Sequence, residues 1–280
     1  MATTGAANTT GSFEIFSSLR YDPNLPAAVA QNPGGYPEPS QSPYYLISYH
    51  RDRLIAAARH FHWDKALIWL QRDISSFENF LGASILDKDK PWRMRIVVDC
   101  NGNGTVDVHP TPAIDPINLL RPFADMNPNS PVWRVYVDTQ PTIPSGFTTH
   151  KTTARHEYTA ARLRAGIKTL AETAEVLIVN PSGEIMEGSI TTPYFRRRVP
   201  LSAHMQSAPA WITPPLTSGG NAGTSRRYAL VQNFCAEQLI TVKDLIDGEE
   251  CWLSNGVRGF MRGVVIMSRQ PPIRDGIEDN

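Results

Sequence analysis

Residues 13–21, reading Phe-Glu-Ile-Phe-Ser-Ser-Leu-Arg-Tyr, alternate in character and stop at Asp22-Pro23, as a strand does. The Pro-, Gly-, Gln- and Asn-rich run 30–43 predicts a flexible surface loop. Residues 44–47 predict a short strand, and a helix follows from about Tyr49 with Leu54, Ala57, Ala58 and Phe61 on its apolar face. The spacing predicts an amphipathic helical stretch over 67–86 and a strand over 92–98. Asn101-Gly102-Asn103-Gly104 then predicts a tight hairpin turn into a strand at 105–108. The Pro-rich run 109–131 reads as loop with an apolar turn at 117–120, and 133–137 reads as another strand.

A Pro/Gly/Thr-rich segment, 139–149, leads into a helix expected to open at His150-Lys151 and run to about Thr173. Residues 177–195 read as strand, Asn180-Pro181-Ser182-Gly183 turn, and a second strand carrying one isolated acid, Glu187. Residues 211–216 lead through a Gly-rich loop to Gly223-Thr224-Ser225-Arg226 and a helix from about Arg227. Residues 251–259 predict a strand ending in a small polar turn. The pattern divides into an α+β unit over 12–136, a linker over 137–149 and a second unit over 150–267, with flexible tails at 1–11 and 271–280.

Composition narrows the class without naming a function. The 280 residues carry 27 basic and 27 acidic side chains, which argues against a strongly basic nucleic-acid binder and against a disordered chain. The three cysteines have no metal-site spacing, and the Asp99–Asp107 segment lacks the closing Glu of a calcium loop, so no metal is expected. No apolar run approaches the roughly 20 residues that cross a bilayer, and the first eleven residues lack a signal-peptide pattern. A cytoplasmic protein with no nucleic-acid or membrane partner is the expectation.

Candidate chemistry concentrates in four stretches. Lys151 stands at the expected loop-to-helix junction, with Arg155 one turn on and Tyr158 two turns on. Glu187 sits on a strand. Thr224 and Ser225 at a helix start offer free backbone N–H groups and a dipole end, a general anion cradle. Ser254-Asn255-Gly256 closes the last strand. In this order the four stretches, from about Phe13 to Val265, resemble the class IV (fold type IV) pyridoxal-phosphate enzymes, a family of D-amino-acid and branched-chain aminotransferases and 4-amino-4-deoxychorismate lyases. The Lys-Thr-Thr-x-Arg-x-x-Tyr pattern and the opening Phe-Glu-Ile-Phe-Ser-Ser-Leu-Arg-Tyr-Asp-Pro are most similar to the fungal lyases.

The resemblance implies a two-domain fold of the D-amino-acid aminotransferase type, with a small N-terminal α+β domain and a larger α/β-barrel-like one. It implies pyridoxal 5'-phosphate as cofactor, Lys151 as the Schiff-base and catalytic lysine, and Glu187 opposite the pyridine nitrogen. Arg53, in His-x-x-Arg-Leu, is implied to reach the phosphate with Thr224 and Ser225, and one of Ser254 and Asn255 to add a side-chain contact. Tyr158 is expected on the phenolic oxygen, although the family's aminotransferases carry that tyrosine closer to the lysine. Arg155 serves the cofactor ring or is structural. Ser18 and Arg20 face the substrate from the small domain, and Arg20 either takes a substrate carboxylate or is a buried structural arginine. The implied reaction releases pyruvate from 4-amino-4-deoxychorismate to give 4-aminobenzoate, in a homodimer. The alternatives are a transaminase and a non-catalytic ligand-binding relative.

Overall fold

The computed structural model describes residues 12–32, 34–122, 130–198 and 209–267; both tails and part of the 109–131 loop lie outside them. In chain order the first half holds β1 (Ile15–Tyr21), α1 (Leu25–Gln31), α2 (Ile47–His60), α3 (Asp64–Leu70), α4 (Ile74–Gly82), β2 (Trp92–Val98), β3 (Gly104–Pro110) and α5 (Ile117–Leu120). The second half holds β4 (Trp133–Val137), α6 (Gly146–Thr149), α7 (His156–Arg164), β5 (Ala174–Val179), β6 (Ile185–Gly188) and β7 (Thr192–Arg196). It ends with β8 (Trp211–Thr213), α8 (Thr224–Val231), β9 (Ala236–Glu237), β10 (Glu250–Asn255) and β11 (Gly259–Ile266).

Strands β1, β2 and β3 form an antiparallel three-stranded sheet in sequence order, with Ser18 opposite Arg95 and Arg20 opposite Arg93. Because side chains alternate across a strand, Ile15, Leu19, Met94, Ile96 and Val98 face one way and pack on Leu54, Ala57, Leu70, Phe77 and Leu81 of the helices. Phe16, Ser18, Arg93 and Arg95 face the other way, into a cleft.

The second sheet has eight strands in the order β6-β5-β4-β11-β10-β7-β8-β9, curled as a half-barrel. Its parallel pairs are β4–β5 and β4–β11, and β5 is buried at every position, which is why 174–179 reads as a continuous apolar run rather than an alternating one. β4, which the sequence division leaves at the end of the first unit, pairs with β5 and β11 in this larger sheet.

β1 is the seam between the sheets. One edge pairs with β2, and the other is filled by three separate segments: Phe16 N–H donates to the Lys151 carbonyl at 2.9 Å, Arg20 N–H to the Gly256 carbonyl at 2.9 Å, and Tyr45 N–H to the Arg20 carbonyl at 2.8 Å.

Several expectations are corrected. The helix expected from His150 to Thr173 is α7 alone. Thr152 bridges Ile15 and Thr153 N–H donates to the Glu14 carbonyl at 2.8 Å, so these backbone groups are committed to β1 and cannot join a helical ladder. Past Ala165, Gly166 at φ 75° ends the helix. The 67–86 stretch is two helices, α3 and α4, because Asp73 caps the second by accepting from Ser76 N–H at 2.8 Å. Residues 44–47 do not form a strand. Tyr44 makes one bridge to Tyr21, and Leu46 at φ 54° turns the chain straight into α2. Helix α1 precedes the expected loop and takes its first two residues.

Candidate active site

A cavity of about 420 Å3 opens between the outward face of β1–β3 and the concave side of the large sheet. Ten of the eleven predicted site residues line it: Lys151, Arg155, Tyr158, Glu187, Arg53 and Ser18, and also Thr224, Ser225, Ser254 and Asn255. Arg20 does not. Its side chain is 1% exposed and is committed to Asp22 at 2.8 Å and to the Pro112 carbonyl at 3.0 Å.

Lys151 reaches the cavity from an extended segment docked on β1, not from a helix start. Its Nζ lies 5.2 Å from the centroid of the Phe16 ring. Burial, followed by the positive charges of Arg155 and Arg53, holds the amine well below the ordinary lysine range, with Glu187 and Glu175 pulling the other way.

Glu187 projects from β6 opposite Ile178. It accepts from the Tyr158 hydroxyl at 2.5 Å and from the backbone N–H of Asn221. Burial pushes its acid above the usual range, against the pull of Arg155, Tyr158 and Lys151. The Tyr158 hydroxyl, expected on the phenolic oxygen, here gives its proton to Glu187. The Arg155 guanidinium lies 3.8 Å from the Tyr158 ring centroid and donates to the Ser189 carbonyl at 2.7 Å. It is a structural brace and a local positive charge at once. The loop over Glu187 packs closely: a Cβ on Gly220 would sit 2.4 Å from the Met186 carbonyl oxygen.

The opposite end suits an anion. Thr224 and Ser225 open α8, where N–H groups and the helix dipole face the cavity. Ser254 Oγ donates to Ser225 Oγ at 2.8 Å and lies 2.7 Å from the Tyr194 hydroxyl. Arg53, buried and pushed down to about 10 chiefly by that burial, donates to Ser17 Oγ at 2.5 Å. His50, which sequence reasoning used only as part of a motif, joins Ser17 to Thr224. Asn255 turns inward on its own loop, accepting from Val257 N–H at 3.0 Å and Arg258 N–H at 2.8 Å, so its oxygen holds the β10–β11 turn.

The remaining wall is a group of arginines that the sequence reading did not collect. Arg93 and Arg95 come from β2, Arg258 from the β10–β11 turn and Arg162 from α7. Burial, then the neighbouring Arg95, lowers Arg93; burial, then Arg93, lowers Arg258. Asp107 offsets Arg95 only loosely, at 3.7 Å. The signal for two of these was present, since Arg-x-Arg on a strand puts both side chains on one face.

Among the described residues no helix is long and apolar enough to cross a membrane, and no group of three or more His, Cys, Asp or Glu could hold a metal ion. Residues 40–266 match the family model for class IV amino-transferases. An aminodeoxychorismate lyase of Saccharomyces cerevisiae is 28% identical over 204 residues, which make up 65% of this chain and 53% of the yeast protein, so the chain spans about half the length of that relative. A Mesorhizobium loti structure assigned as an amino-acid aminotransferase superposes with a TM-score of 0.62 at 22% identity, covering 91% of this chain and 100% of the other. A Haemophilus somnus structure assigned as a 4-amino-4-deoxychorismate lyase does so at 0.53 and 17%, covering 89% and 99%. A Mycobacterium tuberculosis structure described as a hypothetical aminotransferase, in its PLP-bound form, gives 0.56 at 18%, covering 97% and 89%. With most of its length matched by the family model and its fold shared with these structures, the chain belongs to the class IV amino-transferase family.

Proposed function

We propose that this chain is a pyridoxal-phosphate lyase that converts 4-amino-4-deoxychorismate to 4-aminobenzoate and pyruvate. The observation that carries the reading is one cavity in which the Lys151 amine, held well below the ordinary lysine range, and the acid Glu187 face a wall of arginines. The yeast relative's name supports the choice of reaction.

The residues present suit the cofactor. Arg53 Nε and Asn221 Nδ2 are buried without a protein partner, two donors at the cavity that an incoming acceptor would satisfy. Arg53, Thr224, Ser225 and the start of α8 would hold the phosphate, Glu187 the ring nitrogen and Lys151 the aldehyde carbon. Bound there, pyridoxal phosphate supplies a carbonyl for an amine and a ring that takes up electrons.

The chain's own residues do the rest. Lys151 Nζ accepts the C4 proton of the substrate ring, a task that its lowered pKa favours. As that C–H bond breaks, the C3–O bond to the enolpyruvyl group breaks too. The ring becomes aromatic and the leaving group picks up a proton to become pyruvate. Glu187, fixed by Tyr158 and Asn221, would place its carboxyl group beside the ring nitrogen. The two substrate carboxylates match Arg93, Arg95 and Arg258, since a guanidinium suits bidentate capture of a carboxylate. The proposal includes a cytoplasmic homodimer acting in folate biosynthesis.

The test is to supply 4-amino-4-deoxychorismate with pyridoxal phosphate and follow 4-aminobenzoate and pyruvate, beside a parallel assay with an amino acid and a keto acid. Equal amounts of both products are expected. Amino-group exchange without 4-aminobenzoate would hand the function to the transaminase reading, and a protein that binds no cofactor would leave only a ligand-binding relative.

A further inference from the structure

We infer that His50 is a positioning residue, protonated on Nε2 alone, at the centre of a one-way hydrogen-bond chain. The chain runs from Arg53 through Ser17 and His50 to Thr224 and leaves the Thr224 hydroxyl proton free for an anion in the cavity. It rests on the proposed function only in taking that anion to be the cofactor phosphate.

The direction follows from the donors. A guanidinium has no acceptor, so Arg53 Nη2, 2.5 Å from Ser17 Oγ, must donate to it. Ser17 Oγ also lies 2.6 Å from His50 Nδ1, inside hydrogen-bond distance, and the serine hydroxyl proton is directed there. Arg53 Nη2 also lies 3.5 Å from the same ring nitrogen, a donor that a lone pair on Nδ1 can receive and an Nδ1–H cannot. The imidazole proton is then on Nε2, 3.2 Å from Thr224 Oγ1, and Thr224 accepts it. Thr224 is 3% exposed and lines the cavity, so its own proton points to whatever occupies that space.

Nothing around His50 favours a second proton. Its ring is fully buried, the charges that bear on it are the cations Arg53 and Lys151, and burial, then Arg53 and Lys151, pushes it well below the ordinary histidine range. The ring is also held in orientation. A Cβ at Gly256 would meet its Cε1 at 2.5 Å and Nε2 at 2.7 Å, so the β10–β11 turn packs directly against the imidazole. A matching arrangement serves the neighbouring position, where Ser254 donates to Ser225 and leaves that hydroxyl proton free as well. Both hydroxyls at the start of α8 are thus set as donors before any ligand arrives. For an anion with only acceptors, that setting removes the cost of reorienting them.

The experiment joins a direct view of the tautomer to binding measurements. With 15N-labelled histidine, NMR of the full chain, with and without pyridoxal phosphate, is expected to show His50 as the Nε2–H tautomer with no titration across neutral pH. His50→Phe assigns the signal. An Nδ1–H or cationic ring would overturn the inference. Thr224→Val is expected to weaken pyridoxal phosphate binding by roughly ten- to a hundredfold and leave binding of phosphate-free pyridoxal unchanged, and Thr224→Ser is expected to restore it. Thermal unfolding of each variant separates lost binding from lost fold. Wild-type affinity in Thr224→Val also overturns the inference. If the wild type itself binds pyridoxal as tightly as pyridoxal phosphate, the functional reading fails, while the tautomer still stands or falls by its own spectrum.

Discussion

The Tyr158 hydroxyl donates to Glu187 Oε1 at 2.5 Å, and Arg155 lies 3.8 Å from the centroid of the same tyrosine ring. The acid is thus oriented by a phenol that is itself braced from behind, one partner fixing the next as second-layer groups do around a reactive centre. Glu187→Gln keeps the shape and removes the charge. Elimination to an aromatic product has a leaving group to carry electrons away, whereas transamination must hold them on the ring. Glu187→Gln is therefore expected to retain measurable 4-aminobenzoate formation while any side transamination disappears. Parallel assays check this, and equal loss of both activities would refute it.

Lys151→Ala removes the amine proposed to act as the base. Turnover and covalent attachment of pyridoxal are expected to vanish together while thermal unfolding stays cooperative. Borohydride treatment followed by peptide mapping gives the decisive reading, since a label on Lys168 would mean that the wrong lysine has been placed in the site.

Arg53→Ala removes a charged donor from the anion end without touching Lys151. Cofactor affinity is expected to fall by roughly ten- to a hundredfold, the worth of a charged hydrogen bond of about 1.5–3 kcal/mol. Turnover at saturating cofactor is expected to change far less. Titration of the variant with pyridoxal phosphate measures the first effect, and unchanged affinity would take Arg53 out of the site.

The charge of Arg155 helps to lower the Lys151 pKa, after burial itself. Removing it in Arg155→Met raises that pKa. Cofactor loading needs the neutral amine, so loading is lost as pH falls through the Lys151 pKa, and the loss begins at higher pH in the variant. Initial loading rates across a pH series locate the midpoint, and an unmoved midpoint would show that Arg155 acts only as a brace.

Glu175 is fully buried and accepts from Ser189 N–H at 3.0 Å, Ile190 N–H at 3.1 Å, Ser189 Oγ at 2.5 Å and Thr191 Oγ1 at 2.7 Å. It is the acceptor for the whole β6–β7 turn, with Arg162 3.8 Å away. Glu175→Ala strands those donors and is expected to cost about 3–5 kcal/mol of stability, read by denaturant unfolding. A loss below about 1 kcal/mol would mean that water replaces the carboxylate at little cost.

Much of the site was legible because its chemistry is carried by short local patterns. Lys151, Glu187 and the small residues at 223–225 announce themselves in order, and the strands at 92–98 and 133–137 fall where the apolar pattern puts them. What could not be read depends on partners distant in sequence. Lys151 looks like a helix start because its commitment to Phe16 is invisible until β1 lies beside it. The Glu187 partner of Tyr158 is not announced locally, and of the two roles open to Arg20 the fold shows the buried structural one, on Asp22. Arg93 and Arg95 are readable as one strand face, but Arg258 joins them only through folding.

The seam at β1 separates two kinds of change that the molecule can tolerate. Positions 93, 95, 107 and 109 sit on the outward face of the β2–β3 hairpin, whereas Glu187, the α8 cradle and the β10–β11 turn belong to the other sheet. Lys151 is anchored to the far edge of β1, so the hairpin face carries none of the hydrogen bonds that fix it. New side chains can therefore be written onto that face, and new substrates drawn in, while the electron-handling half stays as it is. Duplication followed by drift confined to one hairpin is then enough to diversify what such a chain consumes.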